Sequence, residues 1–430
     1  MWSQLPELIL TQILGLLGNS DRVNAAQVCQ HWHRTLASPC LWRRCVVHID
    51  RDLGLDHSLA AELAKRFGEH MRSLELVWTR PYYQQQQQRD RPPRLARCMQ
   101  AEAGADYLAS VRAKEVRLQE VKLTDWIHSS KWGNCGKLLC SLVNLLACQH
   151  NLERFSMMNA NLGQTDALRL LRIIAKVSGT RLSSLDIRGA FRESQAPHSN
   201  PRYLKVLGRM QALIHLSLDY SAVSDGALIA LASGNLKTLQ TMHISVRDSG
   251  SRLHSVEDSS WHSLVEACPQ LTISIIIFNV EHYEDMCNLL LPSVPLAKFQ
   301  MIGNHVWDQS RSRNFRSTIS LIISHYSNTL EEFILQVRNN REMLDDLIIS
   351  MLIRCKNLKK LQYDGIMRSL ETIRDICQMQ VDYKMYFRTV HVTPPKNVNV
   401  RNRALLHDIS SEFERRMTDQ GIDFRIDSPA

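Results

Sequence analysis

Residues 28–42 place two cysteines, two histidines and two tryptophans within a short stretch, and cysteine and histidine are the usual ligands of zinc. On a regular helix His31 and His33 are two positions apart and point to different sides, so they cannot share one ion. Cys29 and His33, at i and i+4, could do so. Because neither Cys40 nor any other residue completes a familiar zinc spacing, the sequence favours no metal site and no cofactor here.

An apolar surface is the better interpretation of the same stretch. Val28, Trp32 and Leu36 recur at i, i+4 and i+8, which predicts a stripe along one side of a helix, with Cys29 beside it as a small hydrophobic residue. Large apolar surfaces that remain exposed mark binding sites for partner proteins. The histidines then flank the stripe.

Three short helices must position this stripe. Pro6 can open the first helix at a tolerated first-turn position, and Gly18 with Asn19 can close it. Ser20 or Asp21 can cap the second helix, and residues 30–37 form the third. Such a small unit is near the lower size limit for independent stability, so part of its apolar surface is expected to pack on another chain. One face of the first helix is predicted to carry Leu5, Leu8, Ile9, Ile13, Leu16 and Leu17.

Residues 3 to about 47 resemble the F-box motif almost position for position. The resemblance implies a three-helix module that docks on an SKP-type adaptor and thereby joins cullin and RING subunits. The departure is the histidine pair around Trp32, where a basic or polar residue is commoner. The matching residues are Leu5-Pro6-Glu7-Leu8-Ile9, Ile13, Leu16, Asp21, Ala26, Val28-Cys29, Trp32, Leu36, Pro39 and Leu41-Trp42-Arg43.

The resemblance also implies which side chains bind the adaptor. The first helix supplies positions at or near the contact, and the later residues match packing and C-terminal contact positions. The adaptor-binding set is Leu5, Pro6, Leu8, Ile9, Ile13, Val28, Cys29, Trp32, Leu41 and Trp42.

The composition of the 430 residues is that of an ordinary globular protein, with 44% hydrophobic and 22% charged residues. The net charge of +9 is spread along the chain, so nucleic-acid binding is permitted but not indicated. Eleven cysteines without a Cys-x-x-Cys pair indicate a reducing compartment, the cytoplasm or the nucleus. We expect no signal peptide and no membrane-spanning segment.

A short Leu-x-x-Leu-x-Leu phrase returns along the chain with a mean spacing of about 29 residues, within the range of leucine-rich repeats. Its second half predicts a short strand, and the residues between phrases predict helices, as at 225–232 and 342–355. Weaker copies lie around Leu74–Leu76, Val116–Leu118, Leu236–Ile244 and Leu271–Ile277. The strong copies begin at Leu152, Leu182, Leu213, Leu296, Leu330 and Leu358.

These phrases predict an α/β fold in which the three-helix F-box precedes an irregular leucine-rich-repeat solenoid, a horseshoe with parallel concave strands and outer helices. The alternative is scattered leucines in an unrelated α/β domain, but a doubly wound sheet would show longer apolar strands and glycine-rich turns. The predicted domains are 1–47 (F-box), 48–78 (linker helix and first repeat), 79–105 (disordered Gln/Arg/Pro loop) and 106–430 (solenoid). Residues 403–420 and 422–426 are predicted to form a final helix and strand that cap the solenoid.

The outward side chains of the predicted strands form the expected binding surface for target proteins, although simple solvated positions are the alternative for each residue. This row comprises Ser156, Met158, Asp186, Arg188, Ser217, Asp219, Gln300, Ile302, Ile334, Gln336, Gln362 and Asp364. The substrate-binding residues selected from it are Asp186, Arg188, Ser217, Asp219, Gln300, Ile334, Gln336 and Gln362.

An F-box followed by degenerate repeats resembles the substrate receptors of SCF-type cullin-RING ubiquitin ligases. The phrases Leu213–Tyr220 and Glu281–Glu284 more narrowly resemble the F-box-only proteins numbered thirty-three and thirty-nine. The resemblance implies a non-catalytic subunit that promotes ubiquitination and proteasomal degradation of a protein target, with no nucleic acid and no membrane as partners. The alternative is a scaffold that binds the adaptor without ligase output. Phosphate-loop, nucleophile-elbow and zinc-protease motifs are absent from the sequence, so no enzyme class is indicated.

Overall fold

The computed structural model describes most of the chain. The ranges it leaves out are 1–3, 54–58, 79–92, 127–135, 193–196, 235–237, 248–253, 279–285, 304–314, 338, 340–341, 368, 383–386, 394–399 and 427–430. Two compact units make up the chain: Met1–Leu216 with Ser233–Thr238, and Ser217–Ala232 with Leu239–Ala430. Within the described ranges, no helix is both long enough and apolar enough to cross a membrane.

The first unit starts with three short helices and continues as alternating strands and helices. A 3₁₀ turn, Pro39–Trp42, joins the two parts. The helices are α1 (Glu7–Gly15), α2 (Asn19–Ala25), α3 (Gln30–Leu36), α4 (Leu59–Phe67), α5 (Pro93–Ala113), α6 (Gly136–Leu146), α7 (Gln164–Val177) and α8 (Pro201–Leu207). The strands are β1 (Arg44–His48), β2 (Ser73–Val77), β3 (Glu120–Thr124), β4 (Arg154–Ser156) and β5 (Ser184–Asp186).

Strand β6 (His215–Asp219) lies at the division between the units, and the same alternation fills the second unit. Its helices are α9 (Asp225–Ser233), α10 (Asp258–Ala267), α11 (Met286–Leu289), α12 (Phe315–Tyr326), α13 (Asp345–Arg354), α14 (Glu371–Val381) and α15 (Val400–Asp419). Its strands are β7 (Thr241–Arg247), β8 (Thr272–Phe278), β9 (Leu296–Ile302), β10 (Glu332–Gln336), β11 (Lys360–Asp364), β12 (Thr389–Thr393) and β13 (Asp423–Ile426).

Hydrogen-bonded strands are parallel and consecutive in the chain, as expected when each helix returns the chain to the next strand. The register places apolar side chains beside one another: Val121 pairs with Phe155, and Phe155 pairs with Leu185. In the second unit the Phe299 and Phe333 rings stack with centroids 5.8 Å apart. Each repeat therefore buries its apolar side chains against its neighbours, which confirms the predicted α/β fold of a helical unit followed by a repeat solenoid.

The six strong phrases each lead into a strand, β4, β5, β6, β9, β10 and β11, and the predicted final helix and strand correspond to α15 and β13. The weak copy around Val116–Leu118 lies before the strand that it was expected to form, because β3 begins at Glu120. The Leu-x-x-Leu-x-Leu pattern does not predict strands β1 and β12, because neither has leucine at the first position of the phrase.

Two boundary predictions are corrected by the helices. The predicted loop 79–105 is wrong in its second part, because residues 93–105 belong to α5, whose Ala101 and Ala105 are buried; its first part, with Gln84–Gln88, lies outside the described residues. The predicted cap of the second helix is wrong as well. That helix starts at Asn19 with Gly18 as its N-cap, and Asp21 lies in the first turn, where its charge is favourable.

Strands β3, β4 and β5 of the first unit are each followed by a residue with left-handed backbone, at equivalent positions of the three repeats. Asp125, Asn159 and Gly189 have φ of 56°, 57° and 62°. Asn159 donates to the Asp125 carboxylate at 3.1 Å, and its backbone N–H donates to Arg188 O at 2.8 Å. These bonds tie the ends of adjacent strands together. A Cβ atom at Gly189 would lie 2.6 Å from Asn159 Oδ1, so glycine is needed there for space as well as for φ.

We therefore expect Gly189→Ala to lower the free energy of unfolding by about 1–2 kcal/mol or more, because a side chain adds strain at positive φ and a close contact to Asn159. Chemical denaturation followed by circular dichroism measures the change. Gly136→Ala is the matched control, since a Cβ atom there meets nothing within 4 Å. Equal stability of the two variants would contradict the assigned role of Gly189.

Candidate protein-binding surfaces

The N-terminal helices present large apolar side chains to solvent. Leu8, Ile9, Leu16 and Val28 are 71%, 42%, 89% and 63% exposed. We call these four residues the apolar surface. The first three lie on α1 or at its C-cap, and the last precedes α3. Because such residues are usually buried in a soluble protein, the exposure of several of them within one small helical unit indicates a binding site.

Helix α1 is apolar on two sides, and this arrangement creates the apolar surface. Leu10 and Leu14 are fully buried and form the core of the helical unit with Leu36 and Trp42. At 100° per residue, Leu8, Ile9 and Leu16 fall on the opposite side of the helix from this pair. The predicted apolar face, which includes Leu8, Ile9 and Leu16, is thus the outward side, and the inward leucines were not among its members.

The predicted adaptor-binding residues fall into three groups. Pro6, Leu8, Ile9 and Val28 are exposed, whereas Leu5, Ile13, Cys29 and Trp32 are half-buried. Leu41 and Trp42 are each 5% exposed and belong to the core of this chain, in keeping with the packing positions that the resemblance implies for them, while their contact with an adaptor stays a prediction. The predicted stripe is corrected: Leu36 is buried, but α3 begins only at Gln30, so Val28 is not on that helix.

Leu16, which the predicted adaptor-binding set does not include, is the most exposed large hydrophobic side chain in the described ranges. The resemblance to the F-box motif included Leu16, but the helical pattern alone could not separate it from the buried leucines. Its exposure follows from its place at the C-cap of α1, where the helix ends and the chain turns.

Arg22, buried in the core of the helical unit, was missed by the sequence analysis. Its guanidinium donates from Nε to Leu14 O at 3.0 Å, from Nη1 to Leu41 O at 2.5 Å and from Nη2 to Gly15 O at 3.0 Å. Two of these carbonyls belong to the last turn of α1, where a cation is favourable. Burial lowers the pKa of Arg22 from its ordinary value, with the Cys45 and Cys40 thiols opposing the change.

Trp42 joins the helical unit to the first repeat. Its ring stacks on Phe67 of α4 with centroids 4.6 Å apart and planes within 3°, and its indole N–H donates to Leu36 O at 2.7 Å. The Arg22 guanidinium lies 5.8 Å from the Trp42 ring centroid. Leu63 of α4 completes the same core. The apolar surface is therefore carried by a helical unit that shares its core with the first repeat.

The two histidines of the opening stretch contact backbone carbonyls. His31 Nε2 lies 2.9 Å from Leu5 O, and His33 Nδ1 lies 3.3 Å from Ala26 O. No group of three or more His, Cys, Asp or Glu side chains within the described ranges is arranged to hold a metal ion.

Several cysteines pack as small hydrophobic residues. Cys45, Cys268, Cys355 and Cys377 are buried, and burial raises the pKa of Cys355 to about 11 and that of Cys377 to about 12. The Cys355 and Cys377 thiols are therefore protonated at neutral pH, which makes them poor nucleophiles.

The outward side chains of the strands provide the second candidate surface. In the first unit, Asp186 and Arg188 form an ion pair with an O–N distance of 2.6 Å, and Ser156 lies beside Asp186 in the register. The two charges thus compensate each other before any partner binds.

In the second unit the register brings three predicted substrate-binding residues into one row. Gln300 pairs with Ile334, which pairs with Gln362, and all three are half-buried. Gln336, two residues after Ile334 on β10, pairs with Ile302 on one neighbouring strand and with Asp364 on the other. Ser217 is 9% exposed, so its assignment to an open surface is corrected. Asp219, which follows it on the same strand, is half-buried.

A charged cluster on the first unit was not predicted. Glu120 is 5% exposed, accepts a hydrogen bond from Ser73 Oγ at 2.6 Å and lies 3.2 Å from both Lys122 Nζ and Arg154 Nε. Burial by itself raises the pKa of Glu120, but Ser73, Lys122 and Arg154 outweigh this effect and hold the pKa below its ordinary value. The carboxylate is therefore charged at neutral pH and links three neighbouring strands.

Comparison with known families identifies the helical unit. The F-box-like family model matches residues 2–48. This segment is similar to F-box-like domains, and we call it the F-box-like domain. It contains α1, α2, α3 and the 3₁₀ turn, and with them every member of the apolar surface.

The repeats extend the similarity beyond the F-box-like domain. F-box/LRR-repeat protein 21 of Mus musculus is 21% identical over 289 residues, which cover 65% of this chain and 60% of that protein. The Bos taurus protein of the same name is 21% identical over 370 residues, 84% of this chain and 76% of that protein. The matched region thus spans less than two thirds of the mouse relative. The narrower resemblance to F-box-only members thirty-three and thirty-nine stays a prediction.

We expect Arg22→Met to lower the free energy of unfolding by about 2–3 kcal/mol, the order of one or two lost charged hydrogen bonds, because the carbonyls of Leu14, Gly15 and Leu41 lose their donor. Thermal unfolding measured by calorimetry tests this. Arg34→Met is the control, since Arg34 is exposed and makes one long hydrogen bond, 3.4 Å to Gln30 O. A variant at position 22 as stable as the control would refute the role of Arg22.

We expect Glu120→Gln to reduce stability by about 1–2 kcal/mol near neutral pH, because Lys122 and Arg154 lose a charged partner. A lowered folded-state pKa stabilises above the unfolded carboxyl pKa of about 4.3, and this contribution disappears as pH falls through the folded value. The difference between wild type and variant should therefore shrink in acid, as measured by denaturation from pH 7 down to about 3. Glu414→Gln on the exposed side of α15 is the control, with a difference expected near zero at every pH.

Proposed function

We propose that this protein is a substrate receptor of an SCF-type cullin-RING ubiquitin ligase, a non-catalytic subunit of the cytoplasm or nucleus. The F-box-like domain binds an SKP-type adaptor through the apolar surface, and the adaptor connects it to cullin and RING subunits. The strand surface of the repeats binds a protein target, which is then ubiquitinated and degraded. The observation that carries the proposal is the exposure of Leu8, Ile9, Leu16 and Val28 on a domain that matches the F-box-like model.

The physical contribution of such a receptor is proximity. Ubiquitin transfer takes place at the cysteine of a conjugating enzyme, so the receptor needs only to hold target lysines near it and raise their effective concentration. The shared core of Trp42, Phe67 and Leu63 supports this role, because it fixes the adaptor-binding helices to the first repeat.

For the target, we propose the half-buried row of Gln300, Ile334 and Gln362, with Gln336 beside it, as part of the contact surface. Amide side chains supply both hydrogen-bond donors and acceptors, and isoleucine supplies apolar contact area. Asp186, Arg188 and Asp219 are proposed as further polar contacts. We also propose a relationship to the F-box-only proteins thirty-three and thirty-nine, on the sequence phrases Leu213–Tyr220 and Glu281–Glu284.

We expect Leu8→Asp combined with Leu16→Asp to weaken binding of the SKP-type adaptor more than tenfold, because two charges would be buried at the contact. Both side chains face solvent in the free chain, so the melting temperature should stay close to that of wild type. Co-purification and titration calorimetry with the adaptor provide the measurement. Ile229→Asp with Ile353→Asp is the matched control, since these residues are 53% and 61% exposed and lie on α9 and α13.

The same variants separate a ligase subunit from a scaffold. Reconstitution with adaptor, cullin, RING subunit and ubiquitin enzymes should give target or self-ubiquitination with the wild type and the control but not with the Leu8/Leu16 variant. Adaptor binding without any ubiquitination would support the scaffold instead. Wild-type adaptor affinity of the Leu8/Leu16 variant would overturn the assigned surface.

Proximity labelling with the wild type and with the Leu8/Leu16 variant identifies the target. Proteins labelled by both the wild type and the Leu8/Leu16 variant are candidate targets, and those lost with the variant are ligase subunits. Point variants are preferable to deletion of residues 1–47, which would remove most of β1 and the core around Trp42.

A further inference from the structure

Two neighbouring helices of the first unit carry cations at the same spacing. Arg169, Arg172 and Lys176 stand at i, i+3 and i+7 along α7, and Arg202, Lys205 and Arg209 repeat that spacing along α8 and the turn after it. All six side chains are exposed. Residues at these intervals share one side of a helix, so each set forms a row about 10 Å long.

The backbone places the two rows side by side. Just beyond α7, Gly179 O accepts a hydrogen bond from Gln211 N at 2.9 Å, and a Cβ atom at Gly179 would lie 2.7 Å from Arg209 O. Packed helices have axes roughly 8–10 Å apart, so the six cations occupy an area of about 10 Å by 10 Å. We call these six residues the basic patch.

The basic patch is not neutralised by the described part of the chain. None of its six members forms a salt bridge with another described residue; Arg169 contacts Cys140 Sγ at 3.5 Å. Asp166, half-buried in the first turn, is the one acidic residue of α7, and α8 has none. By contrast, Lys137 of the preceding helix α6 is paired with Glu102 at 2.6 Å. Like charges at these helical spacings repel, so the patch is unfavourable until an anion binds.

We propose that the basic patch binds a short Asp/Glu-rich segment of a partner protein. Arginine pairs with carboxylates through two parallel hydrogen bonds, and an extended segment of four to six residues spans about 13–20 Å, enough to cross the patch. The proposal goes beyond the ligase function and does not require the F-box-like domain.

The surroundings of the patch favour a peptide over other polyanions. Neither α7 nor α8 has an exposed large apolar side chain that could insert into a membrane. Tyr203, the aromatic residue of α8, is fully buried, so no ring of these helices can stack on a base. The basic patch, about 10 Å in each direction, matches a compact anionic segment better than the extended phosphate backbone of a duplex.

The test uses the full chain and fluorescein-labelled hexaglutamate, with binding followed by fluorescence anisotropy. Replacing Arg172, Lys176, Lys205 and Arg209 by Gln should weaken binding about tenfold or more at low salt, and the wild-type affinity should fall as salt rises. The control replaces Arg401, Arg403, Arg415 and Arg416 of α15 by Gln. It removes the same charge from another exposed helix and should change the affinity by less than about twofold.

A second variant keeps the test valid if the Gln variant unfolds. Arg172→Lys with Arg209→Lys retains the charge but loses the paired hydrogen bonds of arginine, so it should bind hexaglutamate more weakly than wild type and more tightly than the Gln variant. Equal weakening by the α15 control would overturn the proposal, since net charge alone would then explain binding. Tighter binding of duplex DNA or of phosphatidylserine vesicles than of hexaglutamate, lost in the same Gln variant, would overturn it in favour of that polyanion.

Discussion

The apolar character of α1 on two opposite sides is the constraint on which the N-terminal helical unit of this protein depends. A helix of nine residues within a three-helix unit can direct only one side into its own core, and Leu10 with Leu14 occupies that side. The core is then closed by the Arg22 guanidinium and the Trp42 ring. Leu8, Ile9 and Leu16 have no place in it, so they remain exposed as a surface that a partner can cover.

The repeats follow a different rule, in which every strand depends on its neighbours. Inward positions such as Phe155 and Leu185 are buried because the next repeat covers them, and the asparagine and glycine at the strand ends tie successive turns together. Polar side chains therefore collect on the outward side of the strands. There they either form ion pairs with one another, as Glu120 does with Arg154, or remain partly exposed to solvent, as Gln300 and Gln362 do. Only the second kind is suited to binding a partner.

The helices on the other side of the repeats carry charge of their own. Some cations of the first unit are paired locally, as Lys137 is with Glu102, whereas the six cations of the basic patch form no salt bridge with a described residue. Apolar, amide-rich and basic surfaces thus lie on separate elements, each with its own chemistry.

The sequence by itself determined the class of fold, because the periods of its leucines are local: each Leu-x-x-Leu-x-Leu phrase fixes which side of a strand is buried, and the intervening spacing fixes a helix. It also determined the position of the F-box-like domain. It could not show that Leu41 and Trp42 are core while Leu16 is exposed, since all are apolar and only the tertiary packing around Arg22 and Phe67 separates them. Strands β1 and β12, the Glu120 cluster and the adjacency of the cationic rows likewise depend on residues distant in the chain. Those contacts are set by register and helix packing, which a local pattern does not encode.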